Sequence, residues 1–174
     1  GKIDLDSWRY QAQGMPGGVM LQIGIHYTDV LEYLMGPIKA VSGRFVQLVL
    51  PGDNPDVASL VLEHESGAQS TLNASYASAG EYYLMNIYGK EATAYYDLHN
   101  GLRFQKRGSE KVEKIPVGKN DAIVDELDEF AAAVRGEAEP EMDGERSTVS
   151  LAVILAGIKS AREGRRVEVK EILA

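Results

Sequence analysis

The sequence predicts an α+β fold: an open, mostly antiparallel sheet with helices packed on one face. Three observations carry that prediction. An apolar segment with helical spacing opens the chain at about residues 18–35. A strand-textured stretch broken by short Gly-containing turns fills about 38–115. Two further helical stripes and one β-branched pair complete the chain. The order helix, strands, helices segregates the helices to one side of the sheet. Connections this short make neighbouring strands antiparallel.

Each element has its own signal. Residues 1–16 are polar and irregular, with an early Trp8-Arg9-Tyr10. Pro16-Gly17-Gly18 breaks the chain before the opening helix, and Gly36-Pro37 stops it, as Gly and Pro just beyond a helix end do. Val57–His64 and Ala68–Ala77 flank Glu65-Ser66-Gly67, a hairpin loop. Tyr82–Tyr88 and Ala92–Leu98 flank Gly89-Lys90-Glu91, a second hairpin. His99-Asn100-Gly101 is a third turn, since Asn-Gly favours hairpin geometry. Leu102–Lys106 and Lys111–Ile115 end the series. Ile123, Leu127, Phe130, Ala131 and Val134 share one helical face that ends near Gly136. Leu151, Ile154, Leu155 and Ile158 share another that ends at Gly164. Val167-Glu168-Val169 reads as a short last strand.

Composition narrows the function classes. A chain of 174 residues, 44% hydrophobic and 25% charged, is long enough for one domain with its own core. There is no cysteine, which removes disulfides, thiolate metal sites and Cys nucleophiles and fits a cytoplasmic protein. The net charge of −8 repels nucleic acid and anionic membranes. The start Gly1-Lys2-Ile3-Asp4-Leu5-Asp6 resembles neither a signal peptide nor a transit peptide. No apolar run reaches the roughly 18 residues of a membrane span. Arg162, Arg165 and Arg166 sit among Glu163 and Glu168 and read as a solvated helix end.

The opening helix carries the chemistry. At about 100° per residue, Gln22, His26, Asp29 and Tyr33 project from one narrow side. Met20, Ile23, Tyr27, Val30, Leu31 and Leu34 cover the opposite side, and Leu21 and Ile25 fill much of the rest. A helix apolar on nearly every side is expected to be buried, and a polar stripe inside a core needs partners. His26 has two readings: a general acid/base, or a core histidine satisfied by backbone. Gln22 could hydrogen-bond a substrate hydroxyl or orient the ring, and Asp29 could set the tautomer or cap a loop. One His with one Asp makes an incomplete metal site. Gly14-Met15-Pro16-Gly17-Gly18 lacks the preceding strand and the spacing of a dinucleotide fingerprint; its glycines read instead as a close backbone approach. His64 and His99 are expected at the surface. Strands from Tyr76 to Tyr96 carry large apolar groups in both alternating registers, which predicts a face buried against another subunit or domain.

The pattern Trp8-Arg9, Pro16-Gly17-Gly18, Gly24-x-His26-x-x-Asp29-x-Leu31-x-x-Leu34-x-Gly36 closely resembles the C-terminal domain of the glucose–fructose oxidoreductase / inositol dehydrogenase / rhizopine catabolism (Gfo/Idh/MocA) family. The likeness continues through Ile87-Tyr88-Gly89 and Tyr96-Asp97-Leu98 to Ser160-Ala161-Arg162-x-Gly164-Arg165-Arg166-Val167, and so spans nearly all of residues 1–174. The resemblance implies the substrate-binding and oligomerisation half of an NAD(P)-dependent oxidoreductase acting on a sugar, polyol or cyclic diol. NAD or NADP would be bound mainly by an N-terminal Rossmann domain that this chain lacks, so the chain alone is expected to hold no cofactor and to be inactive. It also implies a homodimer or homotetramer formed through the open sheet face. By position, His26 matches the family's catalytic histidine. Gln22 stands where many members carry an aspartate; an amide cannot act as a base, so Gln22 is left to bind and orient. Trp8 and Arg9 match a pair near the cofactor in some members, and Arg9 would meet a pyrophosphate or a substrate carboxylate. Asp29 matches the motif as a supporting substrate-side residue. The competing expectation is a non-catalytic ligand-binding or dimerisation module.

Overall fold

The computed structural model describes residues 4, 6–118 and 120–174. Residues 1–3 and 5, read above as carrying no targeting signal, lie outside the described residues, as does Lys119. The chain divides into two compact units, Gly1–Ser78 with Glu141–Ala174, and Ala79–Pro140. The expected α+β architecture is borne out, its strands forming two four-stranded antiparallel sheets, one in each unit.

In the first unit a 3₁₀ turn at Trp8–Tyr10 and a π-helical turn at Met20–Gly24 lead into α1, Ile25–Met35. The strands β1 (Ile38–Val46), β2 (Val57–His64) and β3 (Gln69–Ser75) follow, then α3 (Gly144–Glu163), β8 (Val167–Glu168) and α4 (Lys170–Leu173). The sheet order is β3-β2-β1-β8. Its core face is set by alternation: Ala58, Leu60, Leu62 and His64 of β2 are all buried, with Val41 of β1 and Val167 of β8 beside them. α3 closes that face with Val153, Ile154 and Ala156.

The helix comes unusually near the sheet because both surfaces carry glycine. A Cβ on Gly43 would lie 2.5 Å from the Gly157 carbonyl oxygen, and one on Gly157 would lie 2.6 Å from Leu60 Cδ2. Ser160 completes the seam: its Oγ accepts from Gly43 N at 3.0 Å and donates to the Arg165 carbonyl. Asp143 caps α3 by accepting from Arg146 N at 2.8 Å, and left-handed Gly164 ends it. Leu151, placed on the buried stripe by its spacing, is instead 37% exposed. The buried arc of α3 is centred on Ala152, Val153, Ala156 and Gly157, because small residues permit the close crossing. Arg165 and Arg166 are held in ion pairs with Glu163, Glu171, Glu63 and Glu168.

His64 corrects the expectation of a surface group: it is fully buried. It belongs to the inward register of β2, and both ring nitrogens are satisfied. Nδ1 donates to the Gly36 carbonyl at 2.6 Å, and Nε2 accepts from the Ser70 hydroxyl at 2.8 Å. It thereby pins the end of α1 to the β2–β3 hairpin. His99 is exposed, as expected.

Buried Asp56 organises the loop between β1 and β2. Its carboxylate accepts from Leu48 N at 2.8 Å, Val49 N at 2.7 Å and Leu50 N at 2.6 Å. Burial alone would raise this carboxyl; the backbone donors outweigh burial and hold it below the usual carboxylate range. Asp56→Ala strands three amide donors and is expected to cost about 3 kcal/mol in chemical denaturation. Because the folded carboxyl titrates below its ordinary value of 3.8, its contribution is present above that pH and lost as pH falls through the folded value. The wild-type protein should therefore lose stability faster than Asp56→Ala on acidification below that point, and parallel losses would refute this.

The second unit holds β4 (Leu84–Tyr88), β5 (Ala92–Asp97), β6 (Gly101–Lys106), β7 (Glu113–Lys114) and α2 (Ala122–Val134), with the strands paired in that order. The registers Leu84↔Asp97, Asn86↔Tyr95 and Met85↔Tyr96 sort its two faces. One carries Leu84, Asn86, Tyr88, Tyr95 and Arg103; the other carries Met85, Ile87, Ala94, Tyr96 and Phe104. Both bear large groups, as the sequence predicted. Asp97 holds the β5–β6 turn, accepting from His99 N at 3.0 Å, Asn100 N at 2.9 Å and Arg103. The stripe expected on α2 is present, and Ile123, Leu127, Phe130 and Val134 are all exposed.

Candidate functional site

The site is built where the chain enters the opening helix. Gly17 and Gly18 have φ of 84° and 54°, and a Cβ on Gly18 would stand 2.0 Å from the Pro55 carbonyl oxygen. This is the close backbone approach expected from the glycines. Val19 N then donates to Pro55 O at 3.4 Å and Gln22 N to Gly18 O at 3.1 Å. Asn54 Nδ2 ties the preceding turn by donating to Met15 O at 2.9 Å.

The helix itself departs from expectation. It is not buried on nearly every side: Val19, Met20, Gly24 and Thr28 are buried, while Ile23, Val30, Tyr33 and Leu34 are exposed. The buried line Met20, Gly24, Thr28 repeats every four residues, and small side chains at its last two positions let a narrow strip of helix carry the contact. Thr28 Oγ1 donates to the Ile25 carbonyl at 2.8 Å, which satisfies it inside the core. The winding is π-helical over Met20–Gly24, a form that recurs at functional sites. At the far end Glu32 Oε1 accepts from Ile38 N at 3.0 Å. Burial raises the Glu32 carboxyl, and the nearby Asp29 charge adds to that rise.

His26 is exposed and makes no hydrogen bond among the described residues, so the alternative of a core histidine satisfied by backbone is overturned. The single-strip contact explains this: His26 lies two residues from both Gly24 and Thr28, off the buried line. Gln22, one turn earlier, is half-buried, and its Oε1 accepts from the Tyr76 hydroxyl. Tyr76 packs against the Tyr10 ring with centroids 5.1 Å apart. Burial pushes the Tyr76 phenol up to about 12, Tyr10 adds to the rise, and the Arg9 guanidinium opposes it. Arg9 also stacks over the Trp8 ring at 4.8 Å. The first unit thus brings Arg9, Gln22 and two tyrosines together, with His26 on the next turn of helix. Asp29 lies further along and makes no hydrogen bond among the described residues.

Sequence reasoning missed Tyr76 and Tyr10 as parts of this site. In the sequence Tyr76 is one of a series of sheet aromatics, and Tyr10 is part of an irregular leader. The single signal available was that a half-buried Gln22 requires a partner.

Among the described residues no group of three or more His, Asp or Glu is placed to hold a metal ion, and no helix is long and apolar enough to cross a membrane. A cleft of about 320 Å³ is lined by Gly17, Phe45, Pro55 and Arg162. Neither His26 nor Gln22 lines it.

Residues 2–95 match the GFO/IDH/MocA C-terminal domain, and the chain belongs to that family. It is 28% identical over 172 residues to a D-apiose dehydrogenase of Paraburkholderia graminis, covering 90% of this chain and 46% of that protein. A crystal structure provisionally assigned as an NADPH-dependent oxidoreductase of Desulfitobacterium hafniense superposes with a TM-score of 0.91 at 30% identity, covering 97% of this chain and 53% of that one. A levoglucosan dehydrogenase in complex with NADH shares the fold, with a TM-score of 0.83 at 17% identity over 94% of this chain and 53% of that one. The chain therefore spans about half the length of these relatives.

Proposed function

We propose that this chain is the substrate-binding and oligomerisation domain of a cytoplasmic oxidoreductase that uses NAD or NADP. The reaction moves a hydride between the nicotinamide and a hydroxyl or carbonyl carbon of a sugar, polyol or cyclic diol. The observation that carries this is His26: exposed, without a hydrogen bond among the described residues, and one turn from Gln22 on a helix fixed to a rigid sheet. A structural histidine looks like His64, with both nitrogens satisfied. A free imidazole beside an anchored amide is poised to meet a ligand.

The residues at the chain's start fit the margin of a dinucleotide. Trp8 offers a half-exposed ring, and Arg9 has no carboxylate partner among the described residues. A bound nicotinamide supplies the hydride exchange. This chain supplies the proton balance and the orientation. Oxidation of a carbinol removes one hydride and one proton, and a ring nitrogen of His26 accepts the hydroxyl proton. Gln22 holds a neighbouring oxygen of the substrate, which fixes the reacting carbon. Asp29 supports the substrate side from the next turn. Without the nucleotide-binding half the chain is inactive.

The full-length protein assayed with sugars, polyols and cyclic diols and with both nicotinamides tests this; no turnover under any pairing would overturn it. The non-catalytic module remains the second reading, and Gln22 in place of an acid favours it. Assembly is proposed to use the β4–β7 sheet, on which Leu84 and Tyr88 are 56% and 73% exposed. Leu84→Arg with Tyr88→Glu is expected to yield monomers in analytical ultracentrifugation while leaving far-ultraviolet circular dichroism unchanged. Retained oligomers would sink that assignment.

A further inference from the structure

We propose that Tyr76 locks Gln22 as a hydrogen-bond donor and that Gln22, with Arg9, selects a substrate bearing a carboxylate. This rests on reading the Gln22–His26 face as the substrate side. A primary amide is ordinarily ambiguous, because its oxygen accepts and its nitrogen donates. Here the balance is tipped. The Tyr76 hydroxyl donates to Oε1 and occupies one of its two lone pairs, so what Gln22 chiefly presents to a ligand is Nε2 with its two N–H groups. Nε2 has no partner among the described residues.

The lock is durable for a physical reason. The phenol sits half-buried between Tyr10 and the core, and burial keeps its proton on at any ordinary pH. A phenol that keeps its proton must place it on an acceptor, and Oε1 is that acceptor. Arg9 lies near enough to act on the same phenol, and a guanidinium has donors only. Gln22 and Arg9, gathered beside Tyr76, therefore offer N–H bonds and one positive charge. Asp29 and Glu32 are the opposing charges on this helix, but they stand seven and ten residues from Gln22, about 10 and 15 Å along the axis. A hydroxyl ligand must also place its own proton, and the acceptors here are few: the second lone pair of Oε1, which already accepts from Tyr76, the Tyr10 hydroxyl and the His26 ring. A carboxylate, with acceptors only, wastes nothing and gains charge-assisted bonds. The substrate class is accordingly a hydroxy acid, a sugar or polyol carrying a carboxylate beside its reacting hydroxyl.

The test needs no nicotinamide and so separates this inference from the oxidoreductase reading. The ¹⁵N-labelled chain is titrated with sodium D-gluconate and with D-glucitol, a matched polyol lacking the carboxylate. The Gln22 side-chain amide, assigned by its disappearance in Gln22→Glu, is followed by NMR. Gluconate is expected to shift it at about tenfold lower concentration than glucitol. Tyr76→Phe keeps the packed ring, and Arg9→Gln changes an exposed side chain; each should shrink the gap to about threefold or less. Equal responses to the two ligands, no response to either, or an unchanged gap in both variants would overturn the inference. A full-length enzyme without dehydrogenase activity would remove the oxidoreductase reading and leave this result standing. An active enzyme that prefers neutral polyols would do the reverse.

Discussion

His26→Ala in the full-length protein, if it has the oxidoreductase activity proposed above, is expected to lower kcat about 1000-fold, the scale of a lost general acid/base, while nicotinamide binding by fluorescence titration stays within about twofold. The split between the two readouts follows from the geometry. His26 is exposed and holds no hydrogen bond among the described residues, so its removal breaks no part of the fold. Trp8 and Arg9, the residues proposed to meet the dinucleotide, are left untouched, so cofactor affinity has no reason to fall. Gln22 cannot take over the proton, because an amide is not a base at any accessible pH. Turnover within about threefold of wild type would refute the assignment, and joint loss of turnover and cofactor binding would point to a damaged fold.

Gly18→Ala is expected to be the most damaging single change to stability, costing about 3 kcal/mol or more and lowering the urea midpoint by roughly 1–2 M. Two costs coincide. The residue sits at φ 54°, where a side chain is disfavoured, and the added Cβ would stand 2.0 Å from a backbone oxygen of Pro55 that cannot swing aside. Relief requires the loop after β1 to separate from the start of the helix. The bonds from Val19 N to Pro55 and from Gln22 N to Gly18 would open with it. Gly36→Ala is the control: it has a positive φ of 87° but nothing within 4 Å of the added atom, so it should pay for conformation alone, about 1–2 kcal/mol. Similar losses in the two variants would show that the clash is relieved elsewhere.

The fold was legible where one period dominated. The hairpins at Glu65-Ser66-Gly67 and Gly89-Lys90-Glu91 and the stop at Gly164 follow from local turn chemistry and stand where the pattern puts them. His64 was legible too, had alternation been weighed above polarity: it continues Ala58, Leu60, Leu62. The burial of the opening helix was not legible. Hydrophobic content shows how much of a surface is apolar, but the contact strip was chosen by the small residues Gly24 and Thr28. The site divides the same way. His26 and Gln22 came from helical spacing and family likeness. Tyr76 reaches Gln22 from 54 positions away in sequence, and no local period encodes a bond between a strand end and a helix start.

The π-helical turn at Met20–Gly24 has a consequence for how this surface tolerates insertion and deletion. In α winding two residues four apart overshoot a full turn by about 40°; bonds spanning five residues widen the turn and take up part of that overshoot. Gln22 and His26 straddle the change of winding, so their shared heading belongs to the backbone and not to a choice of rotamers. Deleting Ile23 would restore ordinary winding and leave Gln22 and His26 three residues apart, about 60° short of a shared heading. His26 would keep its place, and Gln22 would be carried away from Tyr76. The helix is a ratchet with one extra tooth, and the loss of that tooth would uncouple recognition from chemistry without removing either side chain.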